Sequence, residues 1–152
     1  MLNFIDRLNM SNLDIAINLA TQRHAGQKDK AGQDYIQHPL RVMNAVDTQD
    51  AKIVAILHDI LEDTETTAHE LNSLGFATHI VDAIQALTKQ AGETRLQAAE
   101  RTALNPLAVK VKLADLMDNM DASRLTQITE KDVDRMEQYK LVISRLLAAQ
   151  NS

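Results

Sequence analysis

The chain has 152 residues, 45% of them hydrophobic and 3% aromatic, and a formal net charge of −5. That length suits one domain whose single core is built from Leu, Ile, Val, Ala and Met rather than from rings. The acidic balance argues against a broad nucleic-acid surface, and the lack of cysteine excludes disulfides, thiolate metal sites and cysteine nucleophiles.

Taken in chain order, the opening MLNFIDRLNM lacks the basic flank and apolar stretch of a signal peptide. No apolar run is long enough to span a bilayer, so a cytoplasmic location without membrane partners is expected. Ser11, with Asp14 three residues on, resembles a capping pair ahead of the helix LDIAINLATQRHA, which Gly26 can end. QKDKAGQDYIQ is polar and reads as a loop. His38-Pro39 starts the next helix, because proline suits the first helical position. Asp50 is a candidate cap for AKIVAILHDILED. Thr67 with Glu70 forms a further capping box, and Gly75 is its stop. ATHIVDAIQALTK is amphipathic, GETRLQAAERTAL is more polar, and Asn105-Pro106 separates it from LAVKVKLADLMDNM. Thr129 with Asp132 opens a last helix that runs to about Ala149. VKVKL alternates briefly but inside a helical pattern, and no confident strand is found. The expected architecture is all-α, a single helical domain over residues 1–152.

Chemistry concentrates in ILHDILEDT, where His58-Asp59 is followed at once by Glu62-Asp63. In a continuous helix His58 and Glu62 share one side, as do Asp59 and Asp63. Charged groups among apolar neighbours are unfavourable unless paired or bound to a metal. His38 at a helix start and Asp115 within an apolar run join His58 and Asp59 as candidate ligands. Two imidazoles and two carboxylates favour a divalent ion such as Mn²⁺, Fe²⁺, Co²⁺ or Zn²⁺. Such an ion makes a water molecule more acidic, and Glu62 and Asp63 stand where they can orient that water and take its proton. Hydrolysis of a phosphate ester or anhydride is what these parts do together. Outside this set, His24 reads as a packed or hydrogen-bonded histidine, and His69 and His79 as surface residues. Arg95 and Arg101 read as a solvated face, and Met117, Met120 and Met136 as core fillers.

Four segments carry a resemblance: AGQKDKAGQDYIQHPLRVM, AILHDILEDTETT, ALTK and NPLAVKVKLADLMDN, in that order over residues 25–119. The chain resembles the HD-domain metal-dependent phosphohydrolases, and among them the RelA/SpoT-type alarmone hydrolases and their small stand-alone forms. The resemblance implies a helical HD bundle that binds metal through His38, His58, Asp59 and Asp115, usually Mn²⁺. It implies water activation by Glu62 and Asp63 and a contact from Asn119 to the nucleoside sugar; Lys28 and Lys30 in the polar loop are candidates for phosphate binding by their charge. The implied partner is a small phosphorylated nucleotide. The implied reaction removes the 3′-pyrophosphate of guanosine tetra- or pentaphosphate, giving GDP or GTP and pyrophosphate. Two positions depart from the pattern, and the first is Asp34, where the family often has proline. The family usually carries an Arg-Lys pair whose arginine packs on guanine, and this chain has Asp29-Lys30, a carboxylate that cannot make that contact. Two other functions stay open: the same chemistry on another phosphorylated nucleotide or metabolite, and a non-catalytic nucleotide-binding regulatory module.

Overall fold

Side-chain caps set where most of the helices begin. The structure, a computed structural model, describes residues 11–151, so the reading of the first ten residues lies outside it. Ser11 and Asp14 form a reciprocal capping box at the start of α1 (Asn12–Arg23). Gly26 then takes a φ of 84°, a left-handed turn that suits a residue without Cβ. α2 (Gln37–Asn44) starts one residue earlier than expected, which leaves Pro39 within the first turn, where its missing N–H is not needed. α3 (Gln49–Leu57) is capped by Thr48 rather than Asp50. The Thr48 hydroxyl reaches the Ala51 N–H at 3.1 Å, whereas Asp50 already lies inside the helix and pairs with His79 at 2.7 Å.

A short α4 (Ile60–Asp63) follows α3, then α5 (Ala68–Ser73) and α6 (Thr78–Leu87). Only half of the Thr67/Glu70 box forms. Thr67 caps the Glu70 N–H, but the Glu70 carboxylate turns away to Arg23 of α1. α7 (Arg95–Ala103) opens on a Thr94/Gln97 capping box, and α8 (Pro106–Asn119) on Asn105 with proline first in the helix. A 3₁₀ turn (Ala122–Arg124) leads to α9 (Glu130–Gln150), whose Thr129/Asp132 box is as expected. Among the described residues there is no strand, only an isolated bridge between Lys28 and Asp34. None of their helices is long and apolar enough to cross a membrane.

The core explains where the site lies. α3 is buried along nearly its whole length, through Ile53, Val54, Ile56 and Leu57. It packs against α1, α2, α6 and α8, and each such side chain contributes about 1.5–3 kcal/mol by leaving water. A second cluster joins α7, α8 and α9 through Ala99, Val109, Leu116, Tyr139, Val142 and Leu146. α8 serves both clusters, Val111 facing the first and Leu116 the second. Asp115 is thereby held in the interior between them. Met117 points the other way and is 64% exposed, so it is not the core filler its residue type implied. Met120 is partly buried on the second cluster.

Candidate metal centre and cleft

The ligand-bearing segment is not one continuous helix. α3 ends at Leu57, His58 and Asp59 form the joint, and α4 resumes at Ile60. The His58 ring nitrogen Nδ1 lies 2.6 Å from the Ala55 carbonyl and so competes with the backbone for that acceptor. The break has a consequence. Neighbours in a regular helix point about 100° apart, yet here His58 Nε2 and Asp59 Oδ2 approach to 3.0 Å. The expected single face shared by His58 and Glu62 is therefore replaced by a joint that aims two adjacent side chains at one point.

His38 and Asp115 reach the same point from α2 and α8. Ligand atoms of His38, His58 and Asp115 all lie within 4.8 Å of one another. His38 Nε2 is 2.9 Å from Asp115 Oδ1 and 3.7 Å from Asp59 Oδ2, and His58 Nε2 is 3.2 Å from Asp115 Oδ1. His38, His58 and Asp115 thus converge, and Asp59 stands beside the two imidazoles but outside that group of three. The buried imidazole–carboxylate set fits a divalent metal ion, since its donors are the nitrogen and oxygen types such ions take.

Several partners of this cluster were not singled out in the sequence. The Tyr35 hydroxyl donates to Asp59. Lys112 Nζ lies 2.9 Å from Asp115 Oδ2, and His38 Nδ1 lies 2.7 Å from Asp118 Oδ2. A signal for them existed: Lys112 and Asp118 stand three residues either side of Asp115, on its side of a helix.

Burial pulls the His58 imidazole down, but the charges of Asp59 and Asp115 outweigh it and hold the ring well above its ordinary pKa. For His38 burial is likewise overcome, by hydrogen bonds to Asp115 and Asp118. Asp115 is raised by burial yet ends well below the usual carboxylate range, held down chiefly by Lys112 and His58. Without metal the rings therefore keep protons that a cation must displace. The stability these raised imidazoles contribute is present below their unfolded value of about 6.5 and lost as pH rises through the folded values. As pH rises above about 6.5, the melting temperature measured in chelator should fall while affinity for a divalent cation rises. A pH-independent affinity by titration calorimetry would exclude displacement of imidazole protons.

A cleft of about 490 Å³ opens over the cluster, within the range of roughly 300–1,000 Å³ typical of small-molecule pockets. Glu62 and Asp63 both line it. Glu62 Oε1 accepts the Lys89 N–H at 2.9 Å. Partial burial, then the charges of Asp59 and Glu62, push the Asp63 carboxyl up, which makes it a better proton acceptor.

The cations named from sequence are largely occupied. Lys28 pairs with Asp34 across the bridge that closes its loop, and Lys30 lies 4.0 Å from Asp132. Asp29 Oδ1 accepts the Ala31 and Gln33 N–H groups, each at 2.9 Å, so its carboxylate is used by its own loop. Asn119 Nδ2 donates to Asp115 Oδ1 at 3.1 Å.

By contrast, Lys89 and Arg95 line the cleft with no carboxylate in ion-pair reach among the described residues. Arg95 lies 5.0 Å over the Tyr139 ring and donates to Gln138. Arg101, expected on a solvated face with Arg95, instead clamps the turn carrying Lys89, through Thr88 O at 2.8 Å and Glu93 Oε2 at 2.6 Å. Its guanidinium holds the Glu93 carboxyl down at about 2. His24 is buried and bonded to Gln27, as a packed histidine should be, while His69 and His79 lie on the surface.

No family model matches the chain. A protein of Danio rerio named guanosine-3′,5′-bis(diphosphate) 3′-pyrophosphohydrolase MESH1 is 33% identical over 124 residues, covering 72% of this chain and 68% of its own length. The chain belongs to the RelA/SpoT-type HD hydrolase family. A guanosine-3′,5′-bis(diphosphate) 3′-pyrophosphohydrolase of Aquifex aeolicus is 32% identical over 69% of the chain. A probable GTP pyrophosphokinase of Mycobacterium leprae is 33% identical over 80% of it. The chain spans 17% of the length of each of these two long relatives. The solved structure of a metazoan SpoT orthologue superposes with a TM-score of 0.75 at 20% identity, over 91% of this chain and 86% of that one. That likeness shows the shared helical fold.

Proposed function

We propose that the chain is a metal-dependent pyrophosphohydrolase that removes the 3′-pyrophosphate of guanosine 3′,5′-polyphosphates. The observation that carries this is the convergence of His38, His58 and Asp115, with Asp59 beside both imidazoles, beneath a cleft edged by Glu62 and Asp63, in a chain similar to a 3′-pyrophosphohydrolase of guanosine bis(diphosphate). The four ligands would hold Mn²⁺, which when bound supplies Lewis acidity toward water and phosphate oxygen. Asp63, its carboxyl pushed up, takes a proton from the attacking water, and Glu62, fixed by the Lys89 N–H, orients that water. The water oxygen bonds to the phosphorus at O3′, the O3′–P bond breaks, and the proton ends on the sugar hydroxyl. Lys28 and Lys30 at the cleft wall, with Lys89 and Arg95, bind phosphate oxygens. Asn119 contacts the sugar once released from Asp115.

Incubation of the purified chain with guanosine tetraphosphate and Mn²⁺ should yield GDP and pyrophosphate in equal amounts, with no orthophosphate. Absence of turnover on any phosphorylated nucleotide would leave a binding module instead. The self-occupied carboxylate of Asp29 favours one second reading, the same hydrolysis on a nucleotide with another base. Faster release from an adenosine substrate than from a guanosine one would establish it.

A further inference from the structure

We infer that Asp118 is the positioning residue of the metal centre, holding the His38 ring so that Nε2 faces the other ligands. The inference rests on the reading of His38 as a ligand. Two of the candidate ligands are imidazoles, and their far nitrogens are held differently. His58 Nδ1 sits 2.6 Å from a backbone carbonyl, that of Ala55. His38 Nδ1 instead sits 2.7 Å from the Oδ2 of a side chain, Asp118. A carboxylate in an ion pair only accepts, so Nδ1 carries a hydrogen toward Asp118, and Nε2, whose proton a cation would displace, is turned to the cluster, 2.9 Å from Asp115 Oδ1.

The carboxylate is itself immobilised. Arg41 donates from Nε to Oδ1 at 2.8 Å and from Nη2 to Oδ2 at 3.1 Å, a two-point grip that prevents rotation. Arg124 adds a contact from Nη2 to the Asp118 carbonyl at 3.0 Å. The spacing makes this a cross-brace. His38 and Arg41 are three apart on α2, Asp115 and Asp118 are three apart on α8, and each pair stacks on one side of its helix. One end of the brace presents two metal-facing groups, and the other end is the Arg41–Asp118 grip that sets their relative approach. An acceptor behind a ligating histidine fixes both its tautomer and its ring orientation, and its loss typically weakens metal binding about 10–100-fold.

The test titrates Mn²⁺ into the whole chain, following free Mn²⁺ by electron paramagnetic resonance. The variants are Asp118→Ala, Asp118→Asn, Arg41→Ala and His38→Ala, each checked for fold by circular dichroism. His38→Ala should abolish the site. Asp118→Ala should raise Kd about 10–100-fold, and Asp118→Asn, which keeps an acceptor oxygen, should recover part of that loss. Arg41→Ala should raise Kd by a smaller factor, and it carries the test if Asp118→Ala does not fold. With Co²⁺ at saturation, the visible absorption of Asp118→Ala should differ from wild type, a change that loss of a nearby charge alone would not produce. Wild-type Kd and Co²⁺ spectrum in folded Asp118 variants, with binding lost in His38→Ala, would overturn the positioning role alone. Wild-type Kd in His38→Ala would overturn the ligand reading and the inference with it.

Discussion

Combining Glu62→Gln with Asp63→Asn is expected to lower kcat by about 10²–10⁴-fold, the usual contribution of a positioned acid–base group, while bound metal stays at the wild-type level. The reasoning is geometric. Both carboxylates line the cleft over the cluster, and neither is among the residues whose donor atoms gather within 4.8 Å. Glu62 is anchored by the Lys89 N–H, which an amide oxygen at the same place still accepts, so the Gln substitution preserves the fold and removes only the charge. Asp63 has the raised carboxyl, and Asn cannot take a proton at all. Of the two single variants, Asp63→Asn should therefore carry the larger loss. Steady-state pyrophosphate release with parallel elemental analysis checks both halves. Full turnover in the double variant would take these residues out of the mechanism.

His58→Ala should strip the metal and destabilise the fold together. His58 lies at the joint between α3 and α4, fully enclosed, with Nε2 3.0 Å from Asp59 Oδ2 and 3.2 Å from Asp115 Oδ1. Its removal leaves Asp115 buried with fewer neutralising neighbours and opens a cavity beneath the cleft. Breaking one side of a buried ion pair typically costs about 3–5 kcal/mol. The contrast with Glu62 and Asp63 is diagnostic: those variants keep metal and lose turnover, whereas His58→Ala loses both. Metal content near one ion per chain in folded His58→Ala would contradict the ligand set.

How much of this was readable beforehand differs by element. The helix starts at Ser11, Pro106 and Thr129 were readable because a cap is a contact over three residues. The start of α3 was misplaced because Thr48 and Asp50 are both competent caps, and only the packing of α3 among its four neighbours decides between them. The interruption at His58-Asp59 left no local mark, since ILHDILED reads as good helix throughout. It arises where the His58 side chain takes the Ala55 carbonyl, inside a fold that already surrounds it. Arg95 and Arg101 looked alike in sequence, yet one faces the cleft beside Tyr139 and the other clamps the Lys89 turn.

Residue type and contacts within about one helical turn were enough to set the helical class, most of the helix ends and the four side chains that stand as candidate ligands. Which groups meet was settled by how the helices pack. His38 and Asp115 are 77 positions apart, and their approach to 2.9 Å depends on α2 and α8 being pressed against the buried α3. The same packing chose Asp118 and Arg41 as the brace, turned Asp29 into its own loop, and left Lys89 and Arg95 on the cleft wall with no carboxylate in ion-pair reach among the described residues. Charge–charge pairing acts through space at a few ångströms, so its partners are set by how the helices pack.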